Sequence, residues 1–230
     1  MTLETVKAGD GWRYTVDKEL LEGLKSKQPN AEFNEMVRNI FFKDKTDGVA
    51  VECGAHCGWG GSVCYGFEEL GWTVYNLEAN NQCYEYMHHF RPNANNREYG
   101  LWHTTGEVPL LLPEYKQGYE VPGGSSMVLD EEYFGEKYTF KTVMSQVKTY
   151  KDFVEENGIA HIDCFVLDVE GAEMDVLKGI GDCKVLPDVW VIEDPKTPEQ
   201  DCSGMLKAMR YKRHGGVFTN NRFWYKEGLI

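Results

Sequence analysis

Val51-Glu52-Cys53-Gly54-Ala55-His56-Cys57-Gly58 and Asn76-Leu77-Glu78-Ala79-Asn80 are the two stretches that decide the fold of this 230-residue chain. The first reads as a buried strand running into a glycine turn, the second as another strand ending on a carboxylate. Glycine lets backbone approach a ligand closely, and an acid at the end of the next strand can accept both hydroxyls of a ribose. Together they describe a pocket for an adenosine-containing cofactor.

The glycine spacing separates the candidate cofactors. Pyrophosphate cofactors use Gly-x-Gly-x-x-Gly, which brings a helix N-terminus up to the phosphates. Here the run is Gly54-x-x-x-Gly58-x-Gly60-Gly61, preceded by Glu52. Acid-x-Gly-x-x-x-Gly is the pattern of S-adenosylmethionine (SAM) pockets, whose ligand carries no phosphate. A strand-to-helix turn without any ligand also favours glycine. Glu78 at the following strand end tips the reading toward the cofactor.

Composition narrows the class. The length suits one domain with a real core, and 42% hydrophobic with 13% aromatic residues describes a globular chain rather than a disordered one. A formal charge of −13 argues against a nucleic-acid partner, since no basic stripe is present to displace counterions. Arg210, Lys212 and Arg213, the densest basic cluster, read as a solvated turn. No secretory leader and no long apolar run are visible, so no membrane partner is expected. Seven cysteines without framework spacing fit a reducing cytoplasm. Cys53 and Cys57 with His56 lack a second pair at zinc-site spacing, and no metal is assigned to them.

The pattern along the chain divides it in two. Residues 1–47 read as a helical extension packed on the core. Leu20, Leu21 and Leu24 share one face there, and Asn30 can cap a helix whose Phe33, Met36, Val37, Ile40 and Phe41 follow helical spacing. Residues 48–230 read as the main domain. Strands at 49–51 and 73–77, helices at 62–70 and 81–90, and a strand at 97–102 alternate as a parallel sheet requires. An insertion at about 103–146 interrupts the rhythm, with a strand at 138–144, and reads as an antiparallel excursion plus a mobile loop over the site. Alternation then resumes through a strand at 162–167, a helix at 173–180, a strand at 189–192 and a helix around 199–209. The tail closes as a hairpin turning at Asn220-Asn221.

Ligands of open α/β sheets sit at the carboxyl ends of the parallel strands. Glu52, Glu78, Asp168 and Glu193 all fall there. Asp168-Val169-Glu170-Gly171-Ala172-Glu173 concentrates acids around a second glycine turn, where Glu173 could equally serve the helix dipole. A divalent cation on Asp168, Glu170 and Glu193 is conceivable from their hard oxygens, but the reading assigns no metal. His103, opening the insertion, and His56, inside the glycine turn, are the histidines placed to take a proton from an alcohol.

Residues 51–87 (VECGAHCGWGGSVCYGFEELGWTVYNLEANNQCYEYM), 106–114 (GEVPLLLPE) with 123–127 (GGSSM), and 149–180 (TYKDFVEENGIAHIDCFVLDVEGAEMDVLKGI) resemble the FkbM family of SAM-dependent methyltransferases. The likeness spans roughly residues 48–195. It implies a Rossmann-like class I methyltransferase fold, with a seven-stranded, mostly parallel sheet and an antiparallel C-terminal hairpin. It implies O-methylation of a hydroxyl on a small molecule or sugar. Carried over, Glu52, Gly54 and Gly58, with Ala55, would hold the methionine end of SAM. Glu78 and Ala79 would meet the ribose, and Gly100 and Leu101 would flank the adenine. Asp168 would lie beside the methyl group, and the catalytic base stays open between Asp168 and His103. Glu170, Glu193, Ser125 and Ser126 are the expected acceptor-side residues. The expected partner is the small-molecule acceptor, with a homodimer left open. A non-catalytic SAM-binding module and a methyltransferase acting on RNA are the competing readings.

Overall fold

Residues 3–7, 13–25, 27–115, 125–128, 138–195, 197–218 and 220–230 are described by the computed structural model, and its first element corrects the sequence reading. Where a helical extension is expected, β1 (Leu3–Lys7) and β2 (Arg13–Asp17) pair antiparallel, with Leu3 opposite Asp17. The physical reason is legible afterwards. Thr5, Val6, Thr15 and Val16 are β-branched, and Gly9 and Gly11 lie between the two runs. Helix then follows as expected in α1 (Lys18–Lys25) and α2 (Ala31–Val37), the latter continued by a π-helical turn over Arg38–Phe42. The side chains of the α1 leucines lie outside the described residues. In α2 and its extension, Phe33, Val37 and Phe41 of the expected stripe are buried, Met36 and Ile40 are partly buried against them, and Phe42 joins the core as well.

The next segment supplies β3 (Val49–Cys53), α3 (Tyr65–Glu69), β4 (Thr73–Leu77), α4 (Asn81–Phe90) and β5 (Asn95–Arg97). The strand expected at 97–102 is split. Its first part joins the main sheet as β5, and β6 (Gly100–Leu101) leaves to pair with the insertion. That insertion is a long hairpin of β7 (Gly106–Tyr115) and β8 (Tyr138–Lys148), in register from Gly106↔Val147 to Tyr115↔Tyr138. The mobile loop expected over the site falls on residues 116–124 and 129–137, outside the described residues. The chain then lays down α5 (Tyr150–Glu156), β9 (Cys164–Leu167), α6 (Glu173–Lys178), β10 (Val189–Glu193), α7 (Ser203–Ala208), β11 (Tyr211–Phe218) and β12 (Asn221–Lys226).

Seven of these strands form the main sheet in the order β11-β12-β10-β9-β3-β4-β5. β12 is antiparallel to both β10 and β11, while β10, β9, β3, β4 and β5 run parallel to one another. This is the mostly parallel sheet with an antiparallel C-terminal hairpin that the resemblance implies. Strand side chains alternate between faces, so the sheet carries two separate cores. Val51, Phe165, Trp190 and Trp224 face Tyr150, Phe153, Val176 and Leu177 of α5 and α6. Ala50, Val74, Val166, Val191 and Phe223 face the aromatic layer of Phe33, Phe41, Phe42, Phe67 and Trp72. Trp190 is fully buried, and truncating such a side chain to Ala costs about 3–5 kcal/mol. No described helix is long and apolar enough to cross a membrane.

Candidate active site

Strand register builds the site. Cys53 pairs with Leu77 and Leu167, and Leu167 pairs with Ile192. The residues one step further on are Gly54, Glu78, Asp168 and Glu193, which therefore form a single row along the carboxyl edge of four strands. Asn221, the cross-strand partner of Glu193, extends the row onto β12. Period-two alternation points this row to the same face as Ala50, Val166 and Val191, the face that α2 and α3 cover.

A cavity of about 360 Å³ opens over the row, in the size range of small-ligand pockets. Glu52, Gly54, Ala55, Glu78, Ala79, Gly100, Leu101, Ser125, Asp168, Glu170 and Glu193, all assigned from the sequence, line it together with His56. The N-terminal extension completes its wall. Gly61 N–H donates to the Gln28 carbonyl at 3.2 Å, Asn30 N–H donates to the Ser62 carbonyl at 3.0 Å, and Asn30 itself lines the cavity.

Glu78 is fixed by backbone donors at the cavity wall. One of its oxygens accepts the His56 backbone N–H at 2.7 Å and the other accepts the Asn80 N–H at 2.7 Å. Burial pushes its carboxyl up to about 7, against the opposing pull of those N–H donors. Next to it Asn80 caps α4 through the Gln82 N–H at 3.0 Å and donates to Ser125 Oγ at 3.1 Å. Leu101, Leu110 and Met127 give this end of the cavity an apolar lining suited to a flat base.

The glycine turn has a different basis from the one expected. Gly54 has φ +84°, and a Cβ there would sit 1.7 Å from the Asp168 carbonyl oxygen. The glycine is required first by the close approach of β3 and β9, and only through that by the cavity. Gly58 does not line the cavity. It has φ +69°, and a Cβ there would meet Met87 Cγ at 2.7 Å, so it serves packing against α4. Glu52 is likewise engaged by protein groups. It accepts Ser62 Oγ–H and Val63 N–H, both at 2.6 Å, and lies 3.6 Å from Arg91 Nη1. Its carboxylate shapes the loop that walls the cavity.

Arg91 is the residue that sequence reasoning missed. It is almost fully buried, and it donates to both Ser62 Oγ at 3.2 Å and Glu68 through two nitrogens at 2.9 and 2.6 Å. A buried guanidinium is tolerable only when paired in this way. Its position after α4 carries no local signal, because its side-chain partners lie well back in the chain, on β3, in the glycine-rich loop and on α3.

The second acidic turn is equally organised. Glu170 and Gly171 both adopt left-handed φ, at +54° and +98°. Glu173 is buried and accepts the Val169 N–H at 3.0 Å and the Gly171 N–H at 3.3 Å. It braces the turn from inside. Asp168, Glu170 and Glu193 each present one oxygen, and these lie within 4.8 Å of one another. Such a set of hard oxygens matches what divalent cations use, whereas the sequence reading assigns no metal.

Two further expectations fall elsewhere. His103 lies outside the cavity lining, with its side chain 43% exposed and its Nδ1 3.3 Å from Asp175 Oδ1. It is not placed to act as the base. Ser126 is also absent from the lining; its hydroxyl donates to the Glu170 carbonyl at 2.8 Å and so ties the insertion to the acidic turn.

Residues 52–217 match the methyltransferase FkbM domain, well over half of the chain. Among solved structures, the methyltransferase FkbM from Methylobacillus flagellatus KT superposes with a TM-score of 0.54 at 14% identity, covering 89% of this chain and 50% of its own. The chain thus spans half the length of that protein, and the likeness shows the fold. The putative RNA methyltransferase PH1948 from Pyrococcus horikoshii (TM-score 0.44, 12% identity, 91% and 97% covered) and the METTL16 MTase domain (0.43, 9%, 96% and 86%) are more distant. No curated protein matches the sequence significantly. A matched domain on this sheet order, with its cavity over the expected row, leads to one conclusion: the chain belongs to the FkbM methyltransferase family.

Proposed function

We propose that this chain is a SAM-dependent O-methyltransferase that acts on a hydroxyl of a small molecule or sugar. The observation that carries the reading is the single register row of Gly54, Glu78 and Asp168 beneath one cavity. The buried Glu78 carboxylate fits a ribose diol, and the apolar Leu101, Leu110 and Met127 fit an adenine. SAM, when bound, supplies a methyl group on a sulfonium. The chain's own residues then have two tasks. Glu78 and the two glycine turns fix the orientation of the bound molecules, and proximity of this kind supplies about 7–11 kcal/mol of barrier reduction. Asp168 accepts the proton of the acceptor hydroxyl, a weak nucleophile until it is deprotonated.

An RNA acceptor is disfavoured by the −13 charge. All seven cysteines are free, consistent with a reducing compartment, and we place the enzyme in the cytoplasm. The test is calorimetry with SAM, S-adenosylhomocysteine and NAD, followed by labelled-SAM transfer to a panel of sugars and small alcohols read by mass. Binding of the two sulfur ligands but not NAD, with methyl appearing on oxygen, supports the reading. NAD binding, or methyl found only on nitrogen or carbon, overturns it. Activity that dies with a chelator and returns with magnesium would assign Asp168, Glu170 and Glu193 to a cation.

A further inference from the structure

Within the insertion, residues 125–128 cross from the β7–β8 hairpin to the acidic turn, and proline fixes their register. Leu111 and Ser126 exchange both backbone hydrogen bonds, at 2.8 and 3.0 Å, so Leu111 turns its N–H away from β8. Positions 109 and 113, two residues to either side in an unbroken register, present their backbone to the same edge. Both are proline and have no N–H to give. Leu111 therefore supplies the donor on this edge, and a two-residue slip in either direction would leave the Ser126 carbonyl without a β7 donor. Period-two alternation then turns Ser125 and Met127 into the cavity and Ser126 away from it, as the lining residues show.

The two cavity-facing residues belong to the half assigned to the cofactor. Ser125 Oγ accepts the Asn80 side-chain N–H at 3.1 Å, and the Asn80 backbone N–H donates to Glu78 at 2.7 Å. Met127 lies over Gly100, where a Cβ would stand 2.9 Å from its Cε. Ser126 reaches the other half. It is 1% exposed, and its hydroxyl donates to the Glu170 carbonyl at 2.8 Å while accepting the Val128 N–H at 3.2 Å. Glu170 holds φ +54°, a conformation that a non-glycine residue keeps only where its surroundings impose it. Ser126 grips that turn from the insertion side, and Glu173 grips it from within through the Gly171 N–H. Glu170 lines the cavity beside Asp168, so its placement depends on a side chain that is itself outside the lining.

We propose that Ser126 is a positioning residue that couples the two halves of the cavity. A molecule bound beside Glu78, Gly100 and Met127 fixes the Ser125–Val128 segment, and Ser126 passes that order to the turn at Glu170. The proposal rests on the cofactor reading for the identity of that molecule, and S-adenosylhomocysteine is the probe. Hydrogen exchange read by mass spectrometry, on proteins saturated according to calorimetry, follows peptides covering 108–112 and 169–175. In the parent protein the probe should slow exchange in both. Ser126→Ala leaves the backbone pair with Leu111 and should keep the slowing at 108–112. The slowing at 169–175 should fall about three- to tenfold, the worth of one hydrogen bond. Ser126→Thr retains the hydroxyl and should behave as the parent. Ser125→Ala cuts the link at its cofactor end and should reduce the slowing in both peptides; it decides the matter alone if Ser126→Ala does not fold. Four results overturn the proposal: no slowing at 169–175 in the parent, undiminished slowing there in either alanine variant, loss at 108–112 as well in Ser126→Ala, or Ser126→Thr behaving as Ser126→Ala. A parent protein that binds no S-adenosylhomocysteine overturns the cofactor reading instead. The link is then read on the unliganded proteins, where Ser126→Ala should speed exchange across 169–175 by about threefold or more, and an unchanged rate overturns it.

Discussion

β9 and β10 carry acids at both of their ends, and the two ends are built differently. At the start of the strands, Asp163, Asp188 and His161 gather closely enough to share an ion. They are already neutralised. Lys45 Nζ lies 2.7 Å from Asp163, Lys226 Nζ lies 2.8 Å from Asp188, and His161 Nε2 stands 3.2 Å from both acids. Asp163 also accepts the Val49 N–H at 2.8 Å, which staples the start of β3 to the start of β9. At the far end, Asp168, Glu170 and Glu193 gather just as closely, but over a cavity with no described Lys or Arg in its lining. The two clusters differ in what surrounds them: the acids at the start of the strands hold the strands in register, and those at the far end line the cavity that the proposed function assigns to a ligand.

The sharpest way to break this comparison is Asp168→Asn. Loss of a general base should cut turnover about 10²–10⁴-fold with little change in SAM affinity, measured by labelled methyl transfer beside calorimetry. A large loss of SAM affinity with unchanged turnover would make Asp168 a binding residue. His103→Ala should leave turnover near that of the parent, because the side chain lies outside the cavity. A large drop there would mean the histidine enters the site during the reaction.

Gly54→Val should destabilise the domain as well as abolish SAM binding. Left-handed φ alone costs a β-branched residue about 1–3 kcal/mol, and the new Cβ would meet the Asp168 carbonyl at 1.7 Å. Thermal melting would show the loss, and an unchanged Tm would place the clash elsewhere.

Glu78 links the cavity to pH. Its carboxyl is raised from an ordinary 4.5 to about 7 by burial. A raised carboxylate contributes stability that is complete below the unfolded value and lost as pH rises through the folded one. The unliganded protein should therefore lose about 3 kcal/mol from this group between pH 4.5 and 7. Under the proposed function SAM binding should have the reverse dependence, since the ionised carboxylate is the better acceptor for ribose hydroxyls. Affinity should improve as pH rises through about 7, and binding below that pH should release a proton, seen as a buffer-dependent calorimetric enthalpy. Glu78→Ala should weaken SAM by about 1.5–3 kcal/mol and flatten the profile.

At the other end of the sheet, Asp163→Ala should cost about 1–3 kcal/mol of stability by orphaning the Val49 N–H and Lys45, with SAM affinity unchanged. An affinity loss comparable to that of Glu78→Ala would erase the distinction between the two ends.

Much of the site is legible because strand chemistry is local. Largely apolar runs ending at Val51, Leu77, Leu167 and Ile192 mark buried strands, and the carboxyl end of a buried strand in an α/β sheet is a ligand edge. The misreadings share a cause. His103 adjoins the right strand in sequence, but β6 has left the main sheet before it is reached. Gly58 has the expected spacing and a left-handed φ, but its neighbour is Met87 and not the cavity. The β1–β2 hairpin is readable from its β-branched residues, though Leu20, Leu21 and Leu24 pull the reading toward helix.

The order of residues along the chain by itself determined which strands are buried, where they end and which acids stand at those ends, because alternation and glycine turns act over a few neighbouring residues. Only the tertiary structure decided that Gly54, Glu78, Asp168, Glu193 and Asn221 share one row, that Arg91 braces the loop beside them, and that Asn30 lines the same cavity as Asn220 and Asn221. Those relations depend on register and on packing between distant segments, and a side chain carries no local mark of the partner it will meet once the sheet has closed beneath it.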